Sequence, residues 1–126
     1  MGHGAWGMAR FRFQDLKIWQ SAIEIANELF DISDMLDQKR LHRFAEQLRG
    51  AGMSMSNNIA EGAGSHSDRE FTQFLNFARR STFENANILI LLSMRKLLPK
   101  QQLDDLLSKL EVLSRQITTF QNSLRK

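Results

Sequence analysis

Residues 58–71 read NIAEGAGSHSDREF, and the reading of this stretch decides the fold. Two glycines, two serines and a histidine separate long runs that carry helical spacing. Gly62 suits the position just past a helix C-terminus, where glycine enters the left-handed conformation without strain. Ser67-Asp68-Arg69-Glu70 has the Ser-x-x-Glu form of a capping box and opens the next helix. Asn57, Asn58 and Glu61 fall in the last turn before the loop, where amide side chains can bond the loop backbone. They form either a helix ending or a binding corner.

Working outward, Leu41, Phe44, Leu48, Gly52, Met55 and Ile59 share one stripe and predict a helix over 40–61. Downstream, the spacing predicts a helix over 67–98, with Pro99 as its stop. Leu103, Leu106, Leu110, Leu113, Ile117, Phe120 and Leu124 alternate spacings of three and four, a heptad pattern over 100–125. Near the start, Leu16, Trp19, Ile23, Ala26 and Phe30, with Asp15 as N-cap, predict a first helix over 14–37. A phase break between Leu36 and Leu41 puts a turn near Asp37-Gln38-Lys39. Residues 1–12 hold three glycines without periodicity and read as a flexible tail, leaving 13–126 as the folded domain. One proline and no alternating β-branched runs make the chain all-α. Four helices with short connections predict an antiparallel up-down four-helix bundle.

At 126 residues the chain is one domain, long enough for a core without staples. The absence of cysteine excludes disulfides, thiolate metal sites and a cysteine nucleophile. The longest apolar run, Ile88 to Leu92, is too short to span a bilayer. No charged stretch leads into a hydrophobic segment near the start, so no signal peptide is expected and the cytoplasm is the expected compartment. His42 and His66 are isolated, and neither Glu-x-x-His nor His-Glu-x-x-His occurs. Ser54 and Ser56 lie outside any Gly-x-Ser-x-Gly elbow, and no Gly-Lys-Ser/Thr follows the glycines. No metal, cofactor, membrane or catalytic role is expected.

Folding the second and third helices about residue 64 places Glu84 beside Arg43 and Gln47, and Ser81 beside Gln47. Glu61 and Glu84 are then about sixteen residues apart, roughly 24 Å along the axis. A catalytic carboxylate pair needs about 10 Å or less. Gly50 and Gly52 each cost about 1 kcal/mol inside a helix, which close helix approach, within the bundle or between subunits, would explain. The net charge is +3. The same arithmetic brings Arg40, Arg43 and Arg49 near Arg79 and Arg80, with only Glu46 and Glu84 as nearby acids. That surplus suits phosphate, of RNA or DNA, or the acidic first helix of another copy. Arg95, Lys96 and Lys100 have a simpler reading as cations at a helix C-terminus. The third helix is apolar around much of its cylinder, from Phe71, Phe74, Phe77 and Phe83 to Ile88–Leu92. A helix apolar on several faces must be buried on several faces, which predicts self-association.

These residues resemble a known family, the bacterial four-helix bundle proteins encoded in intervening sequences of 23S ribosomal RNA genes. The matching residues are Phe13-Gln14-Asp15-Leu16-Lys17-Ile18-Trp19, Gln47-Leu48-Arg49, Ser54, Asn58-Ile59-Ala60-Glu61-Gly62, Phe71, Phe74-Leu75, Ala78, Ser81 and Glu84. Where the family has proline between Ser54 and Asn58, this chain has Met55 and Ser56; where it has glycine before Ser81, this chain has Arg80. Those departures imply a straighter second helix and a wider contact with the third. The resemblance implies an antiparallel bundle that assembles as a homopentamer around a central pore. The bundle is similar to accessory variability determinant proteins, which bind nucleic acid and a reverse transcriptase. Two roles follow: a non-enzymatic nucleic-acid-binding module, favouring RNA through backbone contacts, or a scaffold for a protein partner that never touches nucleic acid.

Overall fold

The computed structural model describes residues 10–125. Four helices follow a short 3-10 turn at Arg12–Asp15: α1 (Lys17–Gln38), α2 (His42–Ala63), α3 (Asp68–Met94) and α4 (Lys100–Ser123). No strand occurs among the described residues. Most of the expected tail, residues 1–9, lies outside them; Arg12 belongs to the 3-10 turn.

Each helix turns an apolar stripe inward. Leu29 and Leu36 of α1, Leu48, Met55 and Ile59 of α2, Leu75, Leu89 and Leu92 of α3, and Leu106 and Ile117 of α4 are fully buried. Each such side chain contributes about 1.5–3 kcal/mol of burial. Helices adjacent in sequence are adjacent in space, and α4 returns to touch α1. Between α2 and α3, Phe71 lies against Gly62, Ser54 meets Ser81, and Asn85 meets Ala51. Between α1 and α2, Asp34 meets Arg49 and Leu29 meets Gly52. Partner numbers run in opposite senses in both pairs.

Three helix ends differ from expectation. Asp15 does not cap α1: it closes the 3-10 turn, ion-paired with Arg10, and the N-cap is Leu16 with no side-chain bond. Gln14 holds that turn instead, its Oε1 accepting from Phe11 N (2.7 Å) and its carbonyl from Gln20 Nε2 (2.8 Å). Gly62 is not past the end of α2, which continues to Ala63, and its φ is not positive. A Cβ there would sit 2.7 Å from Phe71 Cδ1 and 2.8 Å from Phe74 Cβ, so glycine is required by the approach of α3. Finally, α3 ends at Met94 rather than Leu98, and Pro99 is the N-cap of α4. Ser67 does cap α3, its Oγ accepting from Glu70 N at 3.1 Å.

The early end of α3 has a local cause. Leu97 N donates to Leu92 O (2.9 Å) and Lys96 N to Ser93 O (2.9 Å), with Lys96 left-handed at φ 63. The turn after α1 repeats the arrangement: Leu41 N to Leu36 O (2.8 Å), Arg40 N to Asp37 O (2.9 Å), and Arg40 at φ 63. This is the Schellman ending, which satisfies the last carbonyls and sets an apolar residue, Leu41 or Leu97, back against its helix. Glycine ordinarily holds the left-handed position, whereas here both are basic.

Candidate nucleic-acid interface

The two turns meet at one end of the bundle. Lys39 and Met35 from the first line a shallow depression of about 660 Å³ together with Lys96, Leu98 and Lys100 from the second. Arg40 and Arg43 flank it in sequence on one side and Arg95 on the other, all exposed. Asp37 and Asp104 at this end are both engaged, while Glu46, one turn along α2 from Arg43, is exposed. Asp104 pairs with Lys100 at 2.9 Å. Asp37 accepts from His42 Nδ1 and from Arg49, each at 2.7 Å. The His42 hydrogen bond, then the Arg49 one, hold the Asp37 carboxyl below the usual carboxylate range. Cations at the C-termini of α1 and α3 also face the negative ends of those helix dipoles.

The five arginines expected as one patch do not form one. Arg49 is half-buried against α1, bonded to Asp34 and Asp37 at 2.7 Å each, and its guanidinium pKa is raised by those two hydrogen bonds, Asp34's the larger. The first helix of its own chain therefore neutralises it. The register separates the rest: with Ser54 on Ser81 and Ala51 on Asn85, Arg79 lies about 12 Å along the axis from Arg49. The pivot at residue 64 was set too early, because α2 runs to Ala63 and the loop ends at Ser67. Arg79 leans over the Phe83 ring (5.8 Å) and lines a groove with α4, while Arg80 is exposed. Arg40 and Arg43 stay together, joined by lysines of the second turn.

The polar residues of the resemblance mostly serve the contact between α2 and α3. The Ser54 and Ser81 hydroxyls lie 2.7 Å apart, a close contact rather than a widened one. Asn58 does not finish its helix; its Nδ2 donates one turn back to Ser54 O (2.8 Å) and Ser54 Oγ (3.0 Å). Asn85, fully buried, donates across to Ala51 O and along its helix to Ser81 O, each at 2.8 Å. Gln47, Asn57, Glu61 and Glu84 are exposed, and Glu84 makes no ion pair with Arg43. Trp19 is buried, its ring 5.0 Å from that of Phe13. The family model described as 23S rRNA-intervening sequence protein matches residues 14–119. The chain belongs to that family. No curated protein matches it.

For this 23S rRNA-intervening sequence protein, the motif is thus largely a device for setting the α2–α3 register. Sequence reasoning missed two neighbourhoods of basic residues. The union of Lys39 with Lys96 and Lys100 was available from topology alone, since successive turns of such a bundle alternate ends. Arg125, which shares the Arg79 groove, had no local signal. Among the described residues no group of three or more His, Asp or Glu gathers as metal ligands do. No helix there is long and apolar enough to cross a membrane.

Proposed function

We propose that this chain is a non-enzymatic, cytoplasmic accessory protein that binds RNA through backbone contacts as a homo-oligomer, a pentamer, of up-down antiparallel bundles. The opposite senses of the α1–α2 and α2–α3 partners support the bundle arrangement. The observation that carries the binding reading is the basic end: two Schellman turns bring Lys39, Lys96 and Lys100 to one depression, Arg40, Arg43 and Arg95 flank it in sequence, and Asp37 and Asp104 are already paired. Both left-handed positions hold cations at a backbone cost of about 1–2 kcal/mol each. Strain of this kind is commonly retained at functional positions. Arg79 and Arg80 form a separate basic pair, about 22 Å along α3 from its C-terminal end. Membership of a family named for ribosomal RNA intervening sequences favours RNA over DNA. Phe44, Ile90, Leu91 and Met94 remain exposed, which supports an apolar contact between copies, and a ring would multiply the basic ends.

A salt titration of binding to structured RNA tests the reading. Arg40→Ala, Arg43→Ala and Lys96→Ala should each lower the slope of log affinity against log salt by about 1, whereas the internally paired Arg49→Ala should leave it. Failure of the wild type to bind RNA or DNA at low salt would sink it. The exposed apolar residues would then mark a scaffold for a protein partner.

A further inference from the structure

A second surface has a different chemistry. Between α3 and α4 runs a groove of about 770 Å³, within the range of ligand sites. Arg79 and Arg125 stand on its rim, and among the described residues no carboxylate lines it. Among the described residues neither arginine has an ion-pair partner; Arg79 is held by the face of Phe83. Gln73, Asn76 and Asn122 add exposed amide donors and acceptors. The groove is built rather than incidental, because buried Gln121 spans its floor and donates to Thr72 O at 3.1 Å. Phe77, 46% exposed, offers a ring at its edge, and Phe83, 61% exposed, lies under Arg79.

Unpaired guanidiniums, free amides and an open aromatic face are the combination that single-stranded nucleic acid requires: phosphate to the cations, base edges to the amides, base face to the ring. Duplex RNA hides its base faces and cannot use the last. We infer that the α3–α4 groove binds a single-stranded stretch of nucleic acid, with a base on Phe77 and phosphates at Arg79 and Arg125. The inference rests on the nucleic-acid reading of the chain but adds a separate site and a strand preference.

The test compares fluorescence anisotropy of a labelled single-stranded oligouridylate of about twelve nucleotides, a length that fits known single-strand sites, with that of a blunt RNA duplex. Phe77→Leu, which keeps apolar volume, and the pair Arg79→Ala/Arg125→Ala should each weaken single-strand binding about tenfold. Duplex binding should stay within about twofold under Phe77→Leu. Circular dichroism checks that each variant is folded. Unchanged single-strand affinity in both variants, while Arg40→Ala and Lys96→Ala still weaken binding, overturns the groove and leaves the basic end standing. No binding of either RNA by the wild type overturns both. If Phe77→Leu alters the oligomer in native mass spectrometry without touching single-strand affinity, Phe77 belongs to a contact between copies and the inference fails.

Discussion

The two ends of the bundle use glycine in opposite ways. At the loop end Gly62 has an ordinary helical conformation and lies pressed under Phe71 and Phe74, with Phe120 edge-on to Phe71 (ring centroids 5.4 Å). Arg12 adds its guanidinium 5.5 Å from the centre of the Phe71 ring. At the turn end, Arg40 and Lys96 adopt φ 63, a conformation natural to glycine, and neither is glycine. Space dictates the residue at one end; at the other a preferred conformation is overridden by charge. The loop end is dense and apolar, and the turn end strained and cationic, so close packing and positive charge are concentrated at opposite poles.

The largest expected effect breaks the dense end. Gly62→Ala gains about 1 kcal/mol of helix propensity but meets a fixed Cβ and a buried ring, an overpacking cost of about 1–3 kcal/mol or more. Net destabilisation of about 1–2 kcal/mol is expected from urea unfolding. Gly50→Ala, with nothing within 4 Å of the new Cβ, should instead stabilise by about 0.5–1 kcal/mol. Should Gly50→Ala dissociate the proposed oligomer, its exposed face is a contact between copies.

A smaller effect tests the strained end. Arg40→Gly and Lys96→Gly each relieve about 1–2 kcal/mol of left-handed strain and lose about 0.3–1 kcal/mol of favourable charge at a helix C-terminus. Each should therefore raise stability by about 0.5–1 kcal/mol while lowering RNA affinity. Lowered stability would show that these side chains are structural rather than retained for binding.

The smallest effect is electrostatic. Asp37 is held below its ordinary pKa, by His42 and then Arg49, so its folded value lies under its unfolded one. The stabilisation is present above about pH 4 and lost as pH falls through the lowered value. Thermal melts taken to acid should show this loss in the wild type, with less acid dependence in Asp37→Asn.

The number and type of helices were legible because each carries a long apolar period, and Ser67 was legible because its cap is a local hydrogen bond. Gly62 was misread because close packing against Phe71 and left-handed conformation leave the same residue in the sequence. Arg40 and Lys96 left no trace as left-handed residues, since their signal is an absent glycine. The end of α3 was placed at Pro99, although the chain turns at Lys96 and proline only starts the next helix. Among the site residues, Arg40 and Arg43 were recognised as basic, but their partners were assigned by a register too short to reach Ser81 from Ser54. Asn85 sits on the buried stripe of α3, where an amide is visible in the sequence but its cross-helix acceptor, Ala51 O, is not.

The seam between α1 and α4 has a kinetic consequence. These two helices touch least among the four neighbouring pairs; Lys109 reaches Glu28 across them at 2.7 Å, and grooves of about 500 and 250 Å³ run along the join. They also come from opposite ends of the chain, so their meeting closes the longest loop and bears the largest loop entropy. The α2–α3 hairpin closes a loop of only four residues and shares the most contact. Folding should therefore nucleate at the hairpin and zip toward the seam, and the native protein should breathe by parting α4 from α1 long before the hairpin opens.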